Sequence, residues 1–488
     1  MESELIDREL EAEELGHIAA SRKPQLVLLY GRRRIGKTFL LDHIWTRDQA
    51  FYFLAADTTG QLNRQDLLRE LSAWSGRSLR LEDFPTWRTV FRQLVEIARE
   101  RPLVVILDEF QYLLGDEDDP ASQLNAVWDR EVRGAPITFV LCGSAVSTME
   151  ALNGAKAPLY GRITWAGQLR AFDYFDAATM VRTTARSSRE LATLYGVFGG
   201  VPRYLAAVEA KDSLRSAVIR GILSPRGEVH LQLLTIIEQE RGIRTPAEYR
   251  AVLSAIAKGN TLLNDIALAA GMAGRQREVR RILEVLQQLE LIYGERNFAA
   301  YRTAPYRFRI ADNALRFWYR FVEPNRSRLV RSAPAEVWSS LIRPYLNDYM
   351  GPLFETICRQ GYLRFYQAWQ LPLPVGEIGR WEGLDRQRQS VELDFVARVE
   401  GNRMLTGEIK WRTQAMAARE HYGVLDKLSR LAQSGHGWAA DALSPNRSAG
   451  YIHFCAGGFG SDLLALAQSD SRIHLISLQE LFAKRAPL

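Results

Sequence analysis

In the first third of the chain, apolar residues fall into short unbroken runs rather than alternating patterns. They are Leu26–Tyr30 inside QLVLLYGRRRIGKTFLL (Gln25–Leu41), AFYFLAA (Ala50–Ala56), Leu103–Leu107 inside PLVVILDEFQYLL (Pro102–Leu114), and ITFVLCGSAV (Ile137–Val146). Runs this short, each closed by glycine, acidic or small polar residues, predict strands buried on both faces, as parallel sheets require. From Pro246 the period becomes helical. Val252, Leu253 and Ile256 mark a first helix over 249–257; a short second one, 264–270, closes at Gly271; Val279, Ile282, Leu283, Leu286 and Leu289 line one face of a third over 275–289. Two strand candidates, 291–294 and 306–310, complete a winged helix-turn-helix pattern.

Beyond Tyr345 the period shortens to two. In VELDFVARVEGNRMLTGEIKW (Val391–Trp411), Val391, Leu393, Phe395, Ala397 and Val399 alternate with Glu392, Asp394, Val396 and Arg398. Leu405, Gly407, Ile409 and Trp411 then alternate with Thr406, Glu408 and Lys410. If Glu400, Gly401 and Asn402 form the hairpin loop, Val399 pairs with Arg403. Asp394 then faces Glu408, and Glu392 faces Lys410. Like charges so placed repel unless a metal or ligand offsets them.

These patterns predict an α/β protein. Its parts are a P-loop parallel-sheet core over 1–205, a helical lid or connector over 206–245, the winged helix over 246–312, a linker over 313–344 that includes the polar, basic stretch Val322–Ser332, and a second α/β domain over 345–488. A chain of 488 residues is long enough for several separate cores.

Composition narrows the class. With 47% hydrophobic and 25% charged residues the chain has a globular balance. No window approaches the roughly eighteen consecutive apolar residues of a membrane span, and the acidic start MESELIDRELEAEEL is unlike a signal peptide. A cytoplasmic protein is expected. Cys142, Cys358 and Cys455 are odd in number and far apart, which suggests buried thiols rather than a disulfide framework or zinc site. The net charge of +6 permits a nucleic-acid partner without demanding one, and arginine is dense over 244–281 and 316–331.

The chemistry begins at GRRRIGKT, a GxxxxGKT loop between a strand and a helix. Backbone N–H groups from Gly31 through Arg34, Ile35 and Gly36 can wrap phosphates, helped by the helix N-terminus that continues through Phe39. Lys37 would reach the β- and γ-phosphates, and Thr38 would ligate Mg²⁺. Arg32, Arg33 and Arg34 place more charge beside that site than a backbone cradle needs. Asp108 and Glu109, ending the next strongly apolar run, divide the remaining work: Asp108 holds Mg²⁺ through water, and Glu109 orients and deprotonates the attacking water. The strand candidate Ala50–Ala56, intervening between the P-loop and Asp108 segments, together with the adjacent glutamate, points to ATPases with an extra strand between the P-loop strand and the Asp108 strand (the ASCE type), and away from kinases and GTPases. Ser144, at a strand C-terminus, sits where a polar side chain would sense the γ-phosphate. Arg162, in PLYGRITWAGQL (Pro158–Leu169), reads either as a surface arginine or as a trigger for transition-state charge, in cis or from a neighbouring subunit.

GRRRIGKT, LDEFQYL, CGSAVSTM, PLYGR and GVFGGVPRYL, in this order, resemble the prokaryotic, archaeal-type ATPase family related to the AAA+ and STAND groups. Its members join an ATPase to a C-terminal domain of uncertain function of the DUF234 type. The resemblance covers essentially the whole chain. It implies an AAA+-like sheet, a small helical lid after GGVPRYL (Gly199–Leu205), Arg162 as finger or sensor arginine, and a homo-oligomer, with a ring as one form.

The string D…ExK on a hairpin resembles the metal core of PD-(D/E)XK nucleases, although Leu393 replaces the proline before the aspartate. That resemblance implies Asp394 and Glu408 as ligands of Mg²⁺ or Mn²⁺, Glu355 in MGPLFETICRQ (Met350–Gln360) as a third, and Lys410 positioning or deprotonating the nucleophile. Glu392 alternatively forms a simple salt bridge with Lys410, and the domain alternatively binds DNA without cutting it. In the third helix Arg275, Arg277, Arg280 and Arg281 lie where a recognition helix meets DNA phosphates, or form a solvated face. The expected function is ATP binding and hydrolysis coupled to DNA; a nucleotide-dependent switch or DNA-binding scaffold with an inactive C-terminal domain is the alternative.

Overall fold

The computed structural model describes residues 5–46, 48–114, 118–238, 243, 245–301 and 303–483. The first four residues of the acidic N-terminus and Arg244 lie outside them. The chain divides into two compact units, 1–171 and 172–488.

The first unit is built on five parallel strands, β1 (Gln25–Tyr30), β2 (Ala50–Leu54), β3 (Leu103–Asp108), β4 (Ile137–Gly143) and β5 (Trp165–Gln168), in the order β2-β3-β4-β1-β5. The unbroken apolar runs follow from burial on both faces. Leu26, Leu28, Phe53, Val105 and Leu141 pack one side, against Trp87, Phe91 and Leu94 of the amphipathic helix Trp87–Glu100. Val27, Leu29, Ile106 and Val140 pack the other, against Leu40 and Leu41 of the helix Lys37–Ile44. In space, β4 separates β1 from β3. The strand that lies between the two motifs in sequence, β2, is at the sheet edge. Parallel pairing needs a crossover at every step, so neighbours in sequence need not be neighbours in the sheet.

The second unit opens with helices, among them Tyr174–Val181 and Ser188–Phe198. Helices Pro246–Ala257, Leu263–Ala269 and Gln276–Gln288 precede an antiparallel pair, β6 (Ile292–Glu295) and β7 (Arg307–Ile310), with Ile292 opposite Ile310. Residues 313–344, expected to link domains, fold as helices that bury Phe317, Trp318, Phe321, Val322, Leu329, Trp338 and Ile342. Arginines punctuate that stretch, but the apolar residues between them recur at helical spacing and form a buried stripe.

After the helix Leu346–Phe365 comes a mixed sheet of β8 (Pro374–Leu384), β9 (Ser390–Val399), β10 (Arg403–Lys410), β11 (Ser448–Cys455) and β12 (Ile473–Ser477), in the order β12-β11-β10-β9-β8. β8, β9 and β10 are antiparallel neighbours, whereas β10, β11 and β12 run parallel. The Glu400–Asn402 loop has the positive φ it needs at Gly401 (69°) and Asn402 (56°), and it sets Arg403 opposite Val399. Gly407 is required by crowding, since a Cβ there would lie 1.6 Å from the Ile452 carbonyl oxygen. Helix Ala418–Gln433 covers one face through Val424, Leu428 and Leu431. Among the described residues no helix is long and apolar enough to cross a membrane.

His453 lies opposite Glu408 in the β10–β11 register and is fully buried, with its Nε2 3.1 Å from His421 Nδ1. Burial first, then the neighbouring His421, pushes His453 down to about 3. Unfolding restores an ordinary value of about 6.5, so between those limits the unfolded chain binds a proton that the folded chain does not. The stability of this sheet is therefore expected to fall as pH drops from 7 to 5, by up to about 1.4 kcal/mol per pH unit. Amide exchange protection factors of β10 and β11 measure this, and His453→Phe should flatten the dependence; an unchanged slope in that variant would acquit His453.

Candidate functional site

The loop from Gly31 to Gly36 joins β1 to the helix Lys37–Ile44 at the C-terminal edge of the first sheet. Gly31 has φ 154°, and a Cβ there would meet the Leu169 carbonyl oxygen at 2.3 Å, so no larger residue fits the turn. Gly36 and Arg34 are also left-handed, at φ 97° and 70°. Ile35 is buried and anchors the loop; Phe39 is exposed on the helix. Lys37 Nζ donates to the carbonyls of Gly31 (2.7 Å) and Arg32 (3.1 Å).

Asp108, at the end of β3, is the point where remote elements meet. Its Oδ2 accepts from Thr38 Oγ1 at 3.3 Å and from Tyr52 Oη of β2 at 2.5 Å, while its Oδ1 accepts from the Glu109 N–H at 2.8 Å. Burial, then the bond to Asp108, pushes the Tyr52 phenol well above its ordinary range and keeps it a donor. Burial likewise raises the nearby Cys142 thiol, with Asp108 adding to it, so the thiol is inert. Thr38 and Asp108 form an all-oxygen pair of the kind that suits Mg²⁺.

Glu109 turns into the left-handed region at φ 52°. Its Oε2 accepts from Ser144 Oγ at 2.6 Å and from Gln111 Nε2, which also reaches Ser144 Oγ at 3.1 Å. The spatial insertion of β4 between β1 and β3 makes this contact possible. Ser144 thus meets the glutamate directly. Arg162 instead pairs with Asp129 at 2.8 Å, and among the described residues it makes no hydrogen bond or ion pair to Lys37, Thr38, Asp108 or Glu109. Tyr52 and Gln111 were not signalled by any motif; an aromatic hydroxyl on the strand beside β3 was the available hint.

The second group lies on the C-terminal sheet. The β9–β10 register runs from Val399–Arg403 to Phe395–Gly407, which brings Asp394 and Glu408 together as the next pair. Both are buried. Asp394 Oδ2 accepts from the Ile409 N–H and from Lys410 Nζ, each at 3.1 Å. Glu408 meets Lys410 Nζ at 2.5 Å and, through both oxygens, Lys427 Nζ of helix Ala418–Gln433 at 3.1 and 2.9 Å. One carboxylate oxygen from each of Glu355, Glu392 and Asp394 lies within 4.8 Å of the other two.

Two expectations change here. Glu408, expected beside Asp394 and Glu355 as a metal ligand, is held by two lysines, and Glu392 takes its place in the carboxylate cluster. Glu392 does not pair with Lys410; Arg380 of β8 draws it at 2.5 Å. Lys427 had no sequence signal, because a lysine on an amphipathic helix reads as solvated. Burial works to lower Lys410, but Asp394 and Glu408 outweigh it and hold the ammonium well above its usual range. A lysine so held stays a charged donor and does not take up a proton. Burial raises Glu355 against the opposing pull of Arg359 and Arg380.

In the segment expected to form a winged helix, Arg275 pairs with Glu248 of the helix Pro246–Ala257 at 2.6 Å and with Glu278. It is committed within the fold. Arg277, Arg280 and Arg281 are exposed along the third helix.

Residues 5–208 match a sequence family described as an ATPase domain predominantly from Archaea, and residues 318–421 match one described as archaea bacterial proteins of unknown function. An uncharacterized protein of Methanocaldococcus jannaschii is 25% identical over 420 residues, spanning 83% of this chain and 87% of that protein. Among solved structures, a Walker-type ATPase of Pyrococcus abyssi is 22% identical with a TM-score of 0.48, over 65% of this chain and 96% of that one. The ORC2 protein of Aeropyrum pernix, solved with ADPNP and ADP, is 18% identical with a TM-score of 0.43, over 67% of this chain and 95% of that one. Residues 5–208, whose Gly31–Thr38 loop and Asp108 lie at one sheet edge, are thus similar to an archaeal-type ATPase domain, and residues 318–421 to a family without assigned function.

Proposed function

We propose that this protein hydrolyses ATP and uses its nucleotide state to control how a winged helix and a nuclease-like C-terminal domain engage DNA. One observation carries the reading: Lys37, Thr38, Asp108 and Glu109 converge at the edge where β1 and β3 end. The loop N–H groups and the helix N-terminus bind the phosphates. Lys37 exchanges the Gly31 and Arg32 carbonyls for phosphate oxygens. Thr38, and Asp108 through water, would hold Mg²⁺, which would supply charge neutralisation on the β- and γ-phosphates. Tyr52 fixes the Asp108 carboxylate. Glu109 orients the attacking water and takes its proton, and Ser144, bonded to Glu109, links that base to the γ-phosphate. Arg162 leaves Asp129 to meet transition-state charge, in cis or in a neighbouring copy; the second case requires a homo-oligomer, a ring among its forms.

In the C-terminal domain the oxygens of Glu355, Glu392 and Asp394 suit a hard cation. Mg²⁺ or Mn²⁺ there would supply an activated water and Lewis-acid stabilisation. Lys410 positions the scissile phosphate, and Arg277, Arg280 and Arg281 neutralise DNA backbone charge. A second reading has a specific support: Lys410, Lys427, Arg359 and Arg380 already balance Glu355, Glu392, Asp394 and Glu408. In that reading the domain binds and does not cut, and the ATPase acts as a switch.

Glu109→Gln should lower ATP turnover by roughly 10²–10⁴-fold while ATP still binds; wild-type turnover in this variant, measured with and without DNA, would refute the assigned base. Replacing Arg277 and Arg280 with Gln should weaken binding across DNA sequences and reduce the salt slope by about one per lost phosphate contact. Mn²⁺-dependent nicking of supercoiled DNA separates the two readings of the C-terminal domain. Loss of wild-type nicking in Asp394→Asn supports cleavage; no nicking by wild type supports the switch.

A further inference from the structure

The hairpin of the winged helix is not free. Its loop lies along β8, the edge strand of the C-terminal sheet. The Phe298 N–H donates to the Arg380 carbonyl at 2.9 Å, and the Ala299 N–H to Glu377 Oε2 at 2.9 Å. Asn297 Nδ2 donates to the Glu382 carbonyl at 2.6 Å, and Asn297 Oδ1 accepts from the Glu382 N–H at 3.3 Å. One side-chain amide thus satisfies the donor and acceptor of an edge residue, as a further strand would. Phe298 is buried in the same core as Trp381 and Trp438. From β7, Arg307 pairs with Glu382 at 2.6 Å.

At this place β8 is irregular. Its register with β9 shifts between Gly379 and Trp381, at Arg380. Such a bulge re-aims a side chain, and the Arg380 guanidinium reaches Glu382, Glu392 (2.5 Å) and Glu355 (3.7 Å). An unbroken chain of charge, Arg307–Glu382–Arg380, therefore runs from the hairpin to two members of the carboxylate cluster.

We propose that Arg307, Glu382 and Arg380 are positioning residues through which the winged helix sets the cation affinity of the Glu355–Glu392–Asp394 cluster; this rests on reading that cluster as a metal site. Glu382 is shared. While the hairpin holds Arg307 on Glu382, Arg380 keeps donors for Glu355 and Glu392 and competes there with any bound cation. Removing Arg307 leaves Glu382 to Arg380 alone and draws Arg380 away from the cluster. Removing Glu382 does the reverse. A shift of the winged helix on DNA is thereby felt at the cluster without a direct contact.

The test is Mn²⁺ binding to the full chain without nucleotide, followed by the paramagnetic resonance of the free ion. Asp394→Asn should abolish the cluster's binding. Arg307→Gln and Arg380→Gln should tighten it by at least about fivefold, Glu382→Gln should weaken it by a similar factor, and Arg307→Lys should restore the wild-type value. The opposite signs are the signature, because a merely damaged fold weakens binding in every variant. Wild-type affinity in both Arg307→Gln and Glu382→Gln, or weakening in both, overturns the coupling and leaves the metal site standing. Equal binding by wild type and Asp394→Asn overturns the metal reading, and the coupling with it.

Discussion

A carboxylate taken out of water must be met by donors, and both candidate sites are organised around that constraint. Asp108, Asp394 and Glu408 are only 5%, 7% and 5% exposed. Thr38, Tyr52 and the Glu109 N–H meet the first; the Ile409 N–H and Lys410 meet the second; Lys410 and Lys427 meet the third. Most of these donors come from other elements than the acid they serve. Stranding such a carboxylate by removing its charged partner costs about 3–5 kcal/mol, so the arrangement of strands and helices is tied to the survival of these contacts.

The two sites meet the constraint with different chemistry, and the difference bears on function. Around Asp108 the donors are hydroxyls and an amide, which leave the negative charge uncancelled. A cation added there gains Coulomb energy without displacing another. Around Asp394 and Glu408 the donors include the ammonium groups of Lys410 and Lys427 beside the Ile409 N–H, and Arg359 and Arg380 flank Glu355 and Glu392. A metal entering that cluster replaces cations already present. Those side chains are in turn held by neighbouring elements, Arg380 through Glu382, which Arg307 of β7 also meets.

Much of this was legible along the chain. The GRRRIGKT loop, the carboxylates closing β3, the helices and hairpin of the winged helix, and the β9–β10 register all follow from patterns spanning a few residues. A loop of Glu400, Gly401 and Asn402 can close in few ways, and once closed it aligns Asp394 with Glu408. Residues 313–344 show where a local run misleads: the polar, basic stretch Val322–Ser332 reads as a linker, yet Phe317, Phe321 and Trp338 are buried along the helices around it. Tyr52, Lys427 and Arg380 could not be assigned from the chain, since Asp108, Glu408 and Glu355 are brought to them only by folding.

By itself, the sequence determined the strands of the P-loop and Asp108 segments, the β9–β10 hairpin, and where the phosphate loop and the facing acids stand, because periodicity and turn geometry act over short distances. The tertiary structure alone decided the partners: β4 rather than β2 between the P-loop strand and Asp108, lysines on Glu408, and Glu392 beside Glu355 and Asp394. The reason is physical. Charge pairing and hydrogen bonding act across a few ångströms of space, and that spacing is set by the packing of elements far apart in the chain.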